Sequence, residues 1–421
     1  GDANRGAILT NLDNSADGSL EIVVGYENND SIRIFDANGG RLYSKGGINK
    51  RYAAMTVADL DGDGQKEIIA PGYDGIYVWH RDFTPFRANE RIYTINDPNY
   101  AFVSSVVVCD LDNDGQKEIL TTAVKRTSPY DAKAYAIKLD GTLLPGWGLG
   151  TQAQTVPNSL DYWPREISVG DLNRDGNLEV VLAGINEVKI LNKEGLLVRQ
   201  IAVDNFTPYG GAILADVDGD ADAEIIVSSQ INERIHAFKM NGSEALGFPL
   251  ILKQDLKHRG ISAVADIDND GKNELIVNAE SSIYVFSTAG KPENIEWGME
   301  RHDQWNTGEY TKPCHSLDIT SNTMWSSDKS ICGNLTVYPG CSLTVNNNCH
   351  IEMGGSSIIT LRPGATLVVD MATLSGVSIK ALPGSSLTIK NDSHVRLRPG
   401  GECSVEAGAI GDISYGSVEM P

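Results

Sequence analysis

The stretch Asp59-Leu-Asp61-Gly-Asp63-Gly64-Gln-Lys-Glu67 recurs along this chain of 421 residues. Near-copies run from Asp110 to Glu118, Asp171 to Glu179, Asp216 to Glu224 and Asp266 to Glu274. A longer, degenerate copy runs from Asn11 to Glu21 and carries two extra residues. A recurrence of about 50 residues is the length of one four-stranded propeller blade, so the repeat predicts a propeller.

Short β-branched runs flank every copy. Met55–Ala58 precedes the second copy and Glu67–Ala70 follows it, and a third run, Gly75–Trp79, comes after this pair. Turns containing Asn38-Gly39, Asp140-Gly141 and Asn241-Gly242 predict a fourth strand beyond the third. We therefore predict an all-β fold, with a six-bladed propeller, or alternatively a seven-bladed one, over residues 1–310.

The repeated loop has the chemistry of a hard-cation site. Oxygen ligands at positions one, three, five and nine converge if the backbone coils tightly, and glycine at position six permits that turn. Position twelve is non-acidic in the five regular copies and lies in a predicted strand, which excludes an EF-hand. Including position seven, the candidate calcium ligands are Asp59, Asp61, Asp63, Gln65, Glu67, Asp110, Asp112, Asp114, Gln116, Glu118, Asp171, Asn173, Asp175, Asn177, Glu179, Asp216, Asp218, Asp220, Asp222, Glu224, Asp266, Asp268, Asp270, Lys272 and Glu274.

The phrase resembles the FG-GAP or VCBS repeat, the calcium-loop repeat of integrin α-subunit propellers and of many secreted bacterial proteins. The resemblance covers residues 1 to about 310 and implies four to six structural Ca²⁺ ions. Two copies depart from it: Ala221 stands where glycine is expected, and the first copy begins with Asn11. We expect weaker calcium occupancy at both.

A second recurrence lies seven or eight residues before each regular loop, where the chain enters an inner propeller strand. Aromatic or basic residues at that register predict a ring around the central funnel that stacks on sugars or holds a peptide. The alternative is that these side chains pack between blades. The candidate ligand residues are Tyr52, Phe102, Trp163, Arg165, Tyr209, His258 and Arg259, with Trp163 the foremost.

Residues 311–421 follow another pattern. Pro-Gly corners at Pro339, Pro363, Pro383 and Pro399 each precede a short alternating strand. This spacing predicts a short β-solenoid, with a small β-sandwich as the alternative. Five of the six cysteines lie beyond residue 310, and Cys314–Cys332 and Cys341–Cys349 are candidate disulfides among several pairings.

Composition narrows the functional classes. A net charge of −21 disfavours binding to nucleic acid or to an anionic membrane surface. No run of about 20 apolar residues predicts a membrane helix. The cysteine cluster and the weak-affinity class of such calcium loops favour an extracellular, cell-surface or periplasmic location.

Signatures of enzymes are scarce, since HExxH and GxSxG motifs are absent from the sequence. We expect a binding, adhesion or scaffold module for a glycan or protein. The alternatives are a calcium-dependent polysaccharide lyase of the propeller type, or the non-catalytic region of a longer secreted hydrolase. We interpret Arg301-His302-Asp303 as structural, at the point where the chain seals the propeller.

Overall fold

A computed structural model of the chain describes most of its residues. The described residues are 3–14, 19–26, 31–48, 55–102, 104–125, 132–148, 155–156, 166–208, 210–229, 231, 234–252, 262–279, 282–299, 301–303, 307–310, 317–326, 329–354, 358–397, 401–414 and 416–419. The chain divides into two compact units, Gly1–Lys312 and Pro313–Pro421. No described helix is long and apolar enough to cross a membrane.

The described part of the first unit forms six antiparallel sheets, which we number in chain order. Sheet one contains β1 (Ala3–Thr10), β2 (Glu21–Tyr26), β3 (Ser31–Phe35) and β4 (Arg41–Lys45). Sheet two contains β5 (Thr56–Ala58), β6 (Glu67–Gly72), β7 (Gly75–Trp79) and β8 (Arg91–Thr94). Sheet three contains β9 (Tyr100–Phe102), β10 (Val107–Cys109), β11 (Glu118–Lys125), β12 (Ala132–Ile137) and β13 (Thr155–Val156).

The later sheets repeat this plan. Sheet four contains β14 (Ile167–Gly170), β15 (Glu179–Gly184), β16 (Glu187–Leu191) and β17 (Leu197–Ala202). Sheet five contains β18 (Ile213–Ala215), β19 (Glu224–Ser228), β20 (Arg234–Phe238) and β21 (Leu250–Ile251). Sheet six contains β22 (Ala263–Ala265), β23 (Glu274–Ala279) and β24 (Ser282–Ser287). A 3-10 turn, Pro292–Asn294, then leads to β25 (Ile295–Trp297), which joins sheet five beside β18.

Sheets one to five each contain a meander of four strands, as predicted, whereas the described part of sheet six contains three. In sheet three, β9 and β10 both pair with β11, and we count them together as the first strand. The fourth strand of sheets three and five follows the turns at Gly141 and Gly242, as predicted, but it does not follow them directly. In both sheets a single bridge follows the turn, and the fourth strand lies further on, as β13 and β21. A proline and a left-handed glycine interrupt the intervening segment, and neither supports a continuous ladder.

Neighbouring sheets pack face to face through buried aliphatic and aromatic side chains. Separate apolar clusters join sheets one to two, two to three, three through five, and five to six. None of these clusters of described residues joins sheet six to sheet one, and on sheet six Ile283 is 73% exposed. The number of blades, six or seven, therefore stays a prediction.

The second unit is a β-solenoid of parallel strands, and the parallel pairing excludes a β-sandwich. Its strands are β26 (Leu317–Ile319), β27 (Thr323–Trp325), β28 (Lys329–Cys332), β29 (Leu335–Val337), β30 (Ser342–Val345), β31 (His350–Gly354), β32 (Ile358–Leu361), β33 (Thr366–Asp370), β34 (Thr373–Ala381), β35 (Ser386–Lys390), β36 (His394–Leu397), β37 (Cys403–Val405), β38 (Ile410–Ser414) and β39 (Ser417–Glu419). About four turns stack on a narrow core of Leu, Val and Ile.

Glycine corners align the turns of the solenoid. The amide of Gly340 bonds to the carbonyl of Gly364, Gly364 bonds to Gly384, and Gly384 bonds to Gly408. The fourth corner was predicted at Pro399, outside the described residues, and this register is wrong. The strand after it, β37, stacks on Ile379–Ala381 in β34, because a spacing of 16 residues is too short for a full turn.

The structure tests one of the two candidate disulfides and contradicts it. Cys341 and Cys349 are not joined by a disulfide. The sulfur of Cys341 lies 3.8 Å from the carbonyl oxygen of Pro339, and that of Cys349 lies 3.7 Å from the carbonyl oxygen of Trp325. The Cys314–Cys332 pairing falls on residues whose side chains lie outside the described set, so it stays a prediction.

Candidate metal centres

Each repeated loop connects the first two strands of its sheet, and we number the loops as the sheets. Loops one to six span residues 11–21, 59–67, 110–118, 171–179, 216–224 and 266–274. The regular loops, two to six, are followed by a strand and not by a helix, which confirms the exclusion of an EF-hand.

The glutamate that ends each loop ties the loop to the strand it begins. Its Oε2 accepts a hydrogen bond from the backbone amide of the second loop residue, at 2.9 to 3.1 Å in all six loops. The pairs are Glu21 with Leu12, Glu67 with Leu60, Glu118 with Leu111, Glu179 with Leu172, Glu224 with Val217 and Glu274 with Ile267. The degenerate first loop therefore keeps the same closure despite its insertion.

The aspartates at the earlier positions hold the coil of the loop. In loop two, Oδ2 of Asp59 accepts the amide hydrogen of Gly64 at 3.0 Å. Oδ1 of Asp63 accepts the amide hydrogen of Gln65 at 2.7 Å. Loops three, four and six repeat both bonds, which turn the remaining carboxylate oxygens toward a common centre.

Two positions of the loop adopt left-handed backbone conformations. Glycine at position six was expected to do so, and Gly64 has φ of 88°. Position four does so as well, through Gly62, Asn113, Arg174, Gly219 and Asn269. Sequence reasoning missed this second position, although Gly and Asn at four of five copies are a readable signal for it.

Ala221 occupies position six of loop five with φ of 82°, the same conformation as the glycines of the other regular loops. This conformation is strained for alanine, because it is unfavourable for an L-residue with a side chain. Asp216 Oδ1 accepts the amide hydrogen of Gly219 at 2.7 Å, as Asp59 Oδ1 accepts that of Gly62 at 2.8 Å in loop two.

Within the described residues, four loops bring three carboxylates together, with one oxygen of each lying within 4.8 Å of the others. The groups are Asp59, Asp61 and Glu67; Asp110, Asp112 and Glu118; Asp216, Asp218 and Glu224; and Asp266, Asp268 and Glu274. Loop five, expected to be weak, is among them. Loop four offers the amide oxygen of Asn173 in place of one carboxylate.

The glutamates of these groups are buried beside other acids. Burial, with nearby aspartates adding to it, raises the pKa of Glu67 and Glu118 to about 7 and that of Glu224 to about 8. Glu179 in loop four has its pKa raised to about 7 for the same reason. Four loops thus place buried carboxylates where ionisation is unfavourable unless a cation neutralises it.

The donor atoms fit a hard divalent cation. Every grouped ligand is a carboxylate oxygen, the ligand type that Ca²⁺ prefers. Glu224 Oε1 and Asp266 Oδ1 are buried and make no hydrogen bond within the described structure. A buried carboxylate oxygen without a partner is costly, and coordination to a metal would satisfy it. The ligand roles of the grouped residues, and those of positions five and seven, stay predictions.

Basic side chains that sequence reasoning missed lie against three of the loops. They follow the third strand of their sheets: His80 Nδ1 lies 3.1 Å from Glu67 Oε1, and Lys138 Nζ lies 3.2 Å from Asp114 Oδ2. Lys239 Nζ lies 2.7 Å from Asp218 Oδ2. The signal was the residue immediately after each predicted third strand, which pairing places beside the loop.

The predicted ligand ring falls largely outside the described residues. Phe102 is described, is buried, and packs its ring edge-on against Tyr93 and Tyr135, which corresponds to the packing alternative. Six members lie outside the described residues, so their role stays a prediction: Tyr52, Trp163, Arg165, Tyr209, His258 and Arg259.

The chain beyond sheet six lies along the first strands of the other sheets. The carbonyl of Gly298 accepts a hydrogen bond from Val264 in sheet six, and that of Thr307 accepts one from Val57 in sheet two. The carbonyl of Gly308 accepts one from Val108 in sheet three. Arg301 is buried and donates a hydrogen bond to the carbonyl of Met55. This geometry supports a structural role for the segment.

Comparison with known proteins supports the repeat. The model of the FG-GAP-like repeat matches residues 13–70 and 59–121, which contain loop two, loop three and most of loop one. The chain therefore carries FG-GAP-like repeats. A search of curated proteins finds no significant match.

The similarities to solved structures are weak. BBS1N in complex with ARL6DN is 14% identical, with 68% of this chain and 78% of that chain covered and a TM-score of 0.45. The Dos1 propeller is 8% identical over 66% and 71%, with a TM-score of 0.44. The biofilm matrix protein Bap1 of V. cholerae is 13% identical over 76% and 64%, with a TM-score of 0.32. These values are too low to transfer a ligand or an activity to this chain.

Proposed function

We propose that this chain is a calcium-stabilised binding or scaffold module that works outside the cytoplasm. The observation that carries the proposal is the repeated glutamate, which closes all six loops with one oxygen. In four of the loops, the glutamate also joins two aspartates in a compact group of carboxylates. A repeated, oxygen-only arrangement in a turn between strands is suited to a structural ion.

The aspartates at positions one and three and the closing glutamate would hold each ion. When bound, Ca²⁺ would supply positive charge that offsets the repulsion among these carboxylates. The protein's own bonds keep the loop coiled, since Asp59 and Asp63 each accept a backbone amide in loop two. The ions' role is therefore to lock the first two strands of each sheet together.

Calcium binding is tested by an isotherm on the whole chain with Glu118→Gln. The amide oxygen of glutamine keeps the acceptor for the Leu111 amide but removes the charge, so calcium affinity at loop three should fall by about tenfold or more. The matched control, Glu194→Gln, removes an exposed charge outside the loops and should leave the isotherm unchanged. A wild-type chain that binds no calcium at millimolar concentration refutes the proposal.

The ligand we propose is a glycan or protein, recognised by the aromatic and basic register that contains Trp163. Extracellular calcium, at millimolar concentration, matches the weak class of such loops, about 10⁻⁴ to 10⁻³ M. A glycan array and a panel of extracellular proteins, probed in calcium with wild type and Trp163→Ala, test this. Loss of binding in the variant supports the surface, whereas an absence of any ligand favours a purely structural spacer.

A further inference from the structure

The residue after the third strand occupies an equivalent place in the first five sheets. Its backbone amide bonds to the carbonyl of the residue four positions on. The pairs are Asp36 with Gly40, His80 with Thr84, Lys138 with Thr142, Asn192 with Leu196 and Lys239 with Ser243. The first residue of this turn contacts the loop of its sheet in sheets two, three and five, as His80 in the first and as a lysine in the other two.

Lys239 reaches into the acidic group of loop five. Its Nζ lies 2.7 Å from Asp218 Oδ2, 2.5 Å from Asp220 Oδ2 and 4.0 Å from Glu224 Oε1. Glu224 is fully buried, and its Oε1 makes no hydrogen bond. The ammonium thus lies beside the carboxylates that would hold an ion and leaves one buried oxygen for the ion.

Lys138 lies against the acidic group of loop three in the same way, but its contacts are longer. Its Nζ lies 3.5 Å from Asp112 Oδ2 and 3.2 Å from Asp114 Oδ2. Loop five carries five acids, with Asp222 as the additional one, and it receives the closer lysine.

We propose that Lys239 and Lys138 are tethered cations that compete with calcium at loops five and three. This inference rests on the calcium-binding function proposed above. A positive charge a few ångströms from the ion site weakens calcium binding there by Coulomb repulsion and by occupying ligand oxygens. The same charge offsets the mutual repulsion of these carboxylates when calcium is scarce, so these two loops should lose less stability without the ion than the other regular loops do.

The test compares wild type with Lys239→Gln and Lys138→Gln in the full chain. Calcium isotherms should show one site in each variant bound about tenfold more tightly, because one opposing charge is gone. In EGTA, Lys239→Gln should melt at a lower temperature than wild type, and calcium should abolish or reverse that difference. Lys380→Gln removes a partly exposed lysine paired with Glu406 in the second unit and serves as the matched control.

The outcomes separate the two proposals. A wild-type chain that binds no calcium overturns the proposed function and this inference with it. Calcium binding with isotherms unchanged within twofold in both variants overturns the inference alone. If Lys239→Gln does not fold in EGTA but folds in calcium, the tethered-cation role is supported. Lys138→Gln repeats the measurement at a loop whose lysine contacts are longer.

Discussion

At the scale of single residues, the loops combine a fixed coil with concentrated charge. Glu224 shows both properties: one oxygen accepts the Val217 amide, and the other is buried without a hydrogen bond. The hydrogen bond from the Val217 amide is formed within the protein and does not require calcium. The burial of the other oxygen is costly until a cation or a proton arrives.

Ala221→Gly should stabilise the protein. Ala221 holds φ of 82°, a conformation that costs an L-residue roughly 1 kcal/mol and costs glycine little. We expect the free energy of unfolding to rise by about 0.5 to 1 kcal/mol, measured by urea denaturation in calcium. The reverse change at the equivalent position of loop three, Gly115→Ala, should destabilise by a similar amount, and a stabilising Gly115→Ala would contradict the strain argument.

Stability without calcium should depend on pH. The pKa is raised to about 7 for Glu67, Glu118 and Glu179 and to about 8 for Glu224. A carboxyl whose pKa is higher in the folded state stabilises the fold while protonated, and this contribution is lost as pH rises through the folded value. In EGTA we therefore expect the melting temperature to fall between about pH 5 and pH 8 from these groups.

In calcium, we expect the melting temperature to rise between about pH 5 and pH 8 instead of falling. Protons and calcium compete for the carboxylates, so calcium affinity should increase as pH rises toward 8. Melting curves at fixed calcium concentration between pH 5 and pH 8 measure this. Parallel pH profiles with and without calcium would show that the buried glutamates are not part of the ion sites.

At the scale of elements, a loop and the two strands it joins act as one unit. The loop begins where β5 ends, and its last residue, Glu67, is the first residue of β6. An ion held by both ends of the loop therefore also fixes the pairing of Ala58 with Glu67. In the solenoid, stacked corners such as Gly364 on Gly384 set the register of the strands.

Leu367→Ala should destabilise the solenoid strongly. Leu367 is fully buried and stacks between Leu343 and Leu387 on adjacent turns. Truncating a buried leucine typically costs about 2 to 5 kcal/mol, through lost burial and the cavity left behind. Chemical denaturation of the whole chain measures it. Val368→Ala, at the half-buried outward position beside it, should cost about 1 kcal/mol or less, and equal costs would argue against this inside–outside assignment.

At the scale of the whole molecule, the first unit is a series of packed sheets that a later segment crosses. Apolar clusters link sheet one through to sheet six, and the chain after β25 bonds to the first strands of sheets two, three and six. The net charge of −21 opposes this compact arrangement, and much of that charge lies in the loops.

Chelation should lower the stability of the first unit and leave the solenoid less affected. Each site contributes about 1.4 kcal/mol at a free calcium concentration ten times its dissociation constant, so several sites together shift melting strongly. Scanning calorimetry in EGTA and in calcium measures this. Magnesium at equal concentration is the control, because it dehydrates reluctantly and favours octahedral sites. A melting profile that EGTA does not change would contradict the proposal that calcium ions stabilise the first unit.

The sequence by itself determined the repeat, the strand–loop–strand order and the positions of the candidate calcium ligands, because loop geometry is local. Asp59 to Glu67 needs only nine neighbouring residues to specify its coil and its oxygens. The Pro-Gly phrases likewise determined a solenoid, although a local pattern did not reveal that β37 stacks on β34.

Only the tertiary structure decided which side chains from distant parts of the chain contact each loop. Lys239 is 19 residues from Asp220 along the chain, and strand pairing alone brings their charges within 2.5 Å. Arg301 reaches Met55 across 246 residues. Burial, and hence the raised pKa of Glu224, depends on how neighbouring sheets pack. Such contacts depend on strand pairing and sheet packing, which the residues of the loop itself do not specify.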